Sequence, residues 1–419
     1  MAKEFMQIHI AVHLENYGRR LLAVTLDVQA QPGIHVFTHH ALTVGNGISI
    51  IDWQITGAES QVDGSKIHIR GSSFRIHYSL EILHAVCLGS SIELEFTYPF
   101  LNQNEIFFGS GILPVPQEPC NVTFQLLGLP DGWNEFSNLT PGGMHPNKLS
   151  NFFCYCAAEL APITHLFHGK IQDVKFCLTT QLQKSLPMSV QALFAFIDKY
   201  MTWLECSLAP YQCANEINIL VLQAPPDFAT LANRQTFATG ENVLNGIVCY
   251  APSDIDYLKT YFGYSSYAQF LYEGLAHELL HYYTTASITG REKSVLYPSP
   301  DCPSYAVKLL ADALNIYFYS QYVSEHIPEA RGSFEMWIAR TQSRQQKTGK
   351  RQALLDLKVL DEHLQGNGSS LLALFREMVR LKLHDRQPYE SAKFLFETMR
   401  TQLNISSIKA MEDDISIQA

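Results

Sequence analysis

GLAHELLHYY, residues 274–283, sets two histidines four apart with a glutamate directly after the first. On a helix, side chains at i and i+4 share a face, with about 5–6 Å between their Cβ atoms. At that spacing His277 and His281 can reach one tetrahedral metal ion, and Glu278, turned by about 100° from His277, flanks the position that such a site leaves open. A carboxylate there takes the proton of zinc-bound water, the chemistry that H-E-x-x-H on a helix serves. Glu273 and Gly274 lie one turn earlier. The glycine leaves space above the metal, and the carboxylate is placed to orient His277. Leu275, Ala276, Leu279 and Leu280 make this helix apolar nearly all round, so two imidazoles and a carboxylate among them need a reason.

A catalytic metal site with one open position takes three protein ligands. The carboxylates downstream are Glu292, Asp301, Asp312, Glu325 and Glu329. Asp312, 31 residues after His281, lies in YAVKLLADALNIYFYSQYV among Leu309, Leu310, Ala313, Leu314 and Ile316, where solvation is a poor account of a charge. Its plainer role is an i, i+4 pair with Lys308. Asp301, 20 residues after His281, has a spacing used by some zinc endopeptidases, but YPSPDCPSY around it reads as a loop. Asp312 is the expected third ligand and Asp301 the alternative.

Outward from this helix the periodicity divides the chain. Up to about Leu182 it has period two or short apolar runs, over residues 7–14, 21–28, 48–55, 66–76, 91–98, 122–126 and 171–179, punctuated by QPG, GNG, DGS and LPDGW. Beyond Lys184 it changes. A helix is expected over 190–208, strands over 217–222 and 246–250, and helices over 265–287, 303–325, 350–364, 369–382 and 389–403. QSRQQKTGKR, 342–351, reads as a basic, solvated joint between helices, and the closing MEDDISIQA as a loose tail. The expected fold class is therefore multidomain α+β: an all-β, sandwich-like domain over 1–183, a mixed α/β domain over 184–328 and a helical part over 329–419.

Composition narrows the partners. With 419 residues, 47% of them hydrophobic and 17% charged, the chain falls among globular proteins large enough for a pre-organised site. Thirty basic and forty acidic side chains leave a formal charge of −10, with no dense basic block, which argues against nucleic acid. No apolar run reaches membrane length, and MAKEFMQIHIAVHLENYGRR reads as a strand and not a signal peptide. Nine irregularly spaced cysteines suit reduced thiols, so a cytoplasmic setting is expected, with export by a route independent of a signal peptide left open. His39, His40, His165 and His168 read as surface or hydrogen-bonded core, and Cys154 and Cys156 as apolar fillers on one face of a strand. No P-loop, Rossmann fingerprint or GxSxG elbow is present.

Three segments in order carry a resemblance. GLAHELLHYY is similar to HExxHxW of the gluzincin aminopeptidases, in particular the glycyl aminopeptidase family, with Tyr283 in place of Trp. Asp312-Ala313-Leu314-Asn315-Ile316-Tyr317 resembles that family's third-ligand motif EGFxxY, with Asp for Glu. Ala238-Thr239-Gly240-Glu241-Asn242 resembles its exopeptidase signature, GxMEN or GGLEH. The resemblance implies a thermolysin-like catalytic domain between a β-rich and a helical part. It further implies one zinc ion per chain held by His277, His281 and Asp312, with Glu278 as general base and peptide as substrate. Gly240, Glu241 and Asn242 would bind that substrate, the Glu241 carboxylate pairing with its free α-ammonium and so measuring one residue from the end. Two departures stand out. Asp is one methylene shorter than Glu, and the segment where the family carries YxKG, with an oxyanion-stabilising Tyr, corresponds to Lys347-Thr348-Gly349-Lys350, which has none. An altered relative acting as a binding module, or a zinc endopeptidase, are the alternative readings.

Overall fold

The computed structural model describes residues 6–39, 48–82, 100–101, 105–109, 112–118, 120–137, 145–146, 153–158, 160, 162–180, 188–211, 215–223, 240–243, 246–251, 267–289, 304–327, 348–366 and 368–376. The chain divides into two compact units, Met1–Pro162 with Val243–Gly246, and Ile163–Asn242 with Ile247–Ala419.

The first unit holds two sheets. Its strands are β1 (Met6–His13), β2 (Leu21–Thr38), β3 (Ile48–Thr56), β4 (Glu59–Asp63), β5 (Lys66–Ile82), β6 (Phe100–Leu101), β7 (Glu105–Gly109), β8 (Val115–Pro116), β9 (Cys120–Leu127), β10 (Trp133–Ser137), β11 (His145–Pro146) and β12 (Phe153–Ala158). The larger sheet runs β11-β9-β1-β2-β5-β3, with β4 on β5 and β8 on β2, and the smaller runs β10-β12-β7-β6. Alternation sets the register of the larger one. Ile10 lies opposite Leu26 on antiparallel β2 and Phe124 on parallel β9, and Leu26 lies opposite Ile76 on β5. All four are fully buried, so a slip of one residue would turn the whole row to the other face. The DGS signal closes the β4–β5 hairpin, where Asp63 pairs with Lys66 and Gly64 adopts φ 57, a left-handed conformation that glycine takes at no steric cost.

The second unit contains, save for Val243 and Gly246, β13 (Ile163–His168), β14 (Asp173–Thr180), α1 (Val190–Ser207), β15 (Glu216–Gln223), β16 (Gly240–Val243), β17 (Gly246–Ala251), α2 (Tyr267–Thr289), α3 (Ser304–His326) and α4 (Thr348–Gly366), followed by helical residues 371–376. Its sheet runs β13-β14-β15-β17-β16. β14 and β15 are parallel, and α1 lies in the crossover between them, as a parallel pair requires. The Ser189 hydroxyl caps α1 by accepting a hydrogen bond from the Ala192 amide at 3.1 Å. The buried residues of α1 recur at helical spacing, Leu193, Ile197, Tyr200 and Leu204 among them, and share one apolar core with α2, α3 and α4.

The structure departs from the periodicity reading at several points: β4, β7, β10, β12 and β13 fall outside the expected runs, β5 continues to Ile82, and two further differences bear on the organisation of the chain. β13 and β14 fall before the expected boundary at 183/184, yet β14 pairs with β15, so both strands belong to the second unit, which begins at Ile163. Alternation marks a strand but does not say which sheet it joins. β2 also runs on past Val28 to Thr38, because a register shift between Gln29 and Gly33 breaks the alternation that would have shown its second half. The strand expected over 91–98, the helix expected over 389–403 and the closing tail lie outside the described residues. No described helix is long and apolar enough to cross a membrane.

Candidate metal centre

The HExxH segment lies wholly within α2, which extends two turns beyond it on either side. The side chains of Leu275, Ala276, Leu279 and Leu280 are 0–1% exposed and belong to the core of the second unit. Glu278 is buried with them at 4% exposure, and His277 is half-buried. A carboxylate that deep in an apolar helix is unusual, and the two imidazoles that HExxH sets around it are of the kind that hold a divalent cation.

α3 packs against α2. Its Asn315 side chain, fully buried, donates from Nδ2 to the His277 backbone carbonyl at 3.0 Å. This bond fixes the side of α3 that meets the HExxH helix. Position 312 lies one turn before Asn315, on the same side of α3. The side chains of His281 and Asp312 lie outside the described residues, as does Asp301. Among the described residues no three His, Cys, Asp or Glu gather as a metal cluster. Gly240, Glu241 and Asn242 open strand β16, at the end of the five-stranded sheet, and their side chains too lie outside the described residues.

The surroundings of the helix pair are aromatic and carry a further acidic group. Burial, and the Glu273 carboxylate one turn before His277, push the Tyr319 phenol well above its ordinary range. On another side of α3 the Tyr317 hydroxyl donates to Asp361 of α4. Asp361, 2% exposed, also accepts from Gln365 Nε2 at 2.7 Å and from the Leu371 amide at 2.6 Å. Sequence spacing assigns no role to the Asn315 side chain or to Asp361. The signal that singled out Asp312, a carboxylate among apolar helical neighbours, applies equally to Asp361, which stands among Leu357, Leu360 and Leu364, all buried.

Among the described residues, the other histidines and cysteines that the sequence singles out have other surroundings. His165 Nε2 lies 2.8 Å from Asp198 Oδ1 and the ring stacks on Phe194, while exposed His168 pairs with Asp173 at 3.1 Å. His39 is buried edge-on against Trp53 and Tyr78, and His40 lies outside the described residues. Cys154 and Cys156 share a face of β12 with their sulfurs 3.7 Å apart, and burial pushes the Cys154 thiol well up, so it is held as an unreactive filler.

No family model matches the chain, and no curated protein matches it in sequence. Solved structures match it in fold. An aminopeptidase N family protein from Idiomarina loihiensis superposes with a TM-score of 0.58 at 11% identity, covering 97% of this chain and 75% of that one. An M1 zinc metallopeptidase from Deinococcus radiodurans gives 0.55 at 12% identity, covering 100% and 94%. Aminopeptidase A of Legionella pneumophila, solved with aspartic acid, gives 0.54 at 9% identity, covering 98% of this chain and 48% of that one. A variant of the Deinococcus protein is solved with a Tyr-Ser-Ala substrate. The likeness is one of fold: a multidomain α+β chain with a β-rich N-terminal region, similar to M1 aminopeptidases.

Proposed function

We propose that the chain is a zinc-dependent peptidase, an aminopeptidase that releases N-terminal residues from peptides. The observation that carries this reading is the Glu278 carboxylate, 4% exposed between the two histidines of an HExxH helix that a buried asparagine ties to the helix of Asp312. The fold shared with zinc metallopeptidases, one of them solved with a tripeptide substrate, supports it.

His277, His281 and Asp312 would hold one zinc ion. When bound, the ion supplies Lewis acidity, which lowers the pKa of water and polarises a peptide carbonyl. Glu278 accepts the proton of the attacking water at its carboxylate and passes it to the leaving amine. Apolar Leu275, Leu279 and Leu280 keep bulk water from the buried side of α2 and so hold Glu278 in a medium where its charge acts strongly. Glu241 of β16 pairs with the free α-ammonium of the substrate, with Gly240 and Asn242 beside it.

Glu278→Gln tests the assignment. The variant should retain its zinc and lose about 10²–10⁴-fold in kcat, the usual contribution of a general base. Full activity in this variant would overturn the role of Glu278. Peptides with a free amino terminus should be cleaved and their N-acetylated counterparts rejected; cleavage of the blocked peptides would replace the exopeptidase reading with an endopeptidase.

A further inference from the structure

We propose that Asp361, on α4 and outside the metal ligands, is a positioning residue that fixes the rotation of α3 and thereby the placement of the third zinc ligand. This rests on the zinc reading of His277, His281 and Asp312. Its ground is a pair of buried polar ties on opposite sides of one helix. Asn315 and Tyr317 are two residues apart, hence turned by about 200° about the helix axis. Asn315 grips the His277 carbonyl on α2, and Tyr317 donates its hydroxyl to Asp361 on α4. α3 is thus held between the two helices by directed bonds, while the apolar contacts around them are undirected.

Asp361 is itself held rigidly. Oδ1 accepts from the Leu371 amide at 2.6 Å, at the start of a helical turn that Ser370 caps through the Ala373 amide at 3.1 Å. Oδ2 accepts from Tyr317 and from Gln365 Nε2 at 2.7 Å, with Gln321 Nε2 at 3.5 Å. A carboxylate 2% exposed with donors on both oxygens is satisfied and does not swing.

Rotation of α3 matters because the ligand on it is short. A 20° turn of a helix moves groups at its side-chain radius by about 2 Å. Metal–ligand distances tolerate about 0.2 Å. Glutamate has an extra torsion with which to recover such an error, and aspartate has not. A site that ligates through Asp312 therefore needs its helix set more closely, which is what the tie to Asp361 supplies.

Two substitutions separate this from a merely structural role. Tyr317→Phe deletes one hydroxyl. Asp361→Asn, with Oδ1 kept toward Leu371, puts an amide N–H where Oδ2 accepted, so the charge-assisted bond from Tyr317 is replaced at best by one in which the hydroxyl accepts, and the bond from Gln365 is lost with it. The readout is the zinc dissociation constant of the full chain by chelator competition, taken well below each variant's melting temperature, with kcat and KM alongside. Each variant should bind zinc about tenfold more weakly, as is typical when a group supporting a ligand is lost. Each should lose kcat with KM little changed, and the double variant should be no worse than the weaker single one. Zinc binding by the wild type with unaltered affinity in Tyr317→Phe overturns the inference and leaves the zinc reading intact, whether or not Asp361→Asn folds. Failure of the wild type to bind zinc overturns both.

Discussion

Glu278 and Asn315 are buried polar side chains on facing helices, and the chain would not carry them there for stability alone. Burying a polar group is favourable only where its hydrogen bonds are met, so each marks a point at which geometry outranks apolar packing. For Asn315 the consequence is measurable. Asn315→Ala removes the donor to the His277 carbonyl and empties its place in the core, so stability should fall by roughly 1–3 kcal/mol. Urea unfolding checks this through a lower midpoint at unchanged slope; a loss below about 0.5 kcal/mol would mean that the tie contributes nothing net. The burial of Glu278 was legible in the sequence, because Leu275, Ala276, Leu279 and Leu280 surround it in the same helix. The tie of Asn315 was not legible, because its partner is a backbone carbonyl 38 residues away, and no local pattern records which face of α3 meets α2.

At the scale of elements, periodicity located α1, α2, α3 and α4 to within three residues at their ends, and strands β1, β3, β9 and β15 nearly as well. These elements have one buried face or stripe, and burial imposes its period on the sequence. What escaped it was partnership. The run 171–179 reads as a strand, yet nothing in DVKFCLTT says that it lies parallel to a strand more than thirty residues on, across α1. β2 escaped in part because a register shift interrupts its alternation. Two helices give contrasting tests. The middle of α2 is packed into the core, so Leu279→Ala, at a fully buried site, should cost about 2–5 kcal/mol and, on the proposed zinc reading, lower zinc affinity with it. α1 depends in addition on its cap, and Ser189→Ala should cost only about 1 kcal/mol with zinc affinity untouched. Thermal melts paired with zinc titrations check both, and equal effects on zinc from the two variants would break the link between the α2 core and the proposed metal site.

Across the whole molecule the formal charge of −10 has its main consequence at alkaline pH, where every further ionisation adds to the same sign. Burial pushes up the phenols of Tyr78 in the first unit and of Tyr200 and Tyr319 in the second, and it raises the Cys120 thiol to about 12. The sign follows from linkage. Each of these acids has a folded pKa above its unfolded one, so its contribution to stability is whole below the unfolded value, about 8.5 for a thiol and 10 for a phenol, and is lost as pH rises toward the folded value. Each group then costs about 1.4 kcal/mol per pH unit within that window. Two separate units each carry such groups, so neither should act as a refuge for the other. The urea midpoint should decline from about pH 9 upward, and tyrosinate absorbance should rise in two stages, exposed phenols first with circular dichroism intact and buried ones only as it collapses. Complete phenol ionisation near pH 10 with the fold still present would show that Tyr78, Tyr200 and Tyr319 reach solvent in the native state.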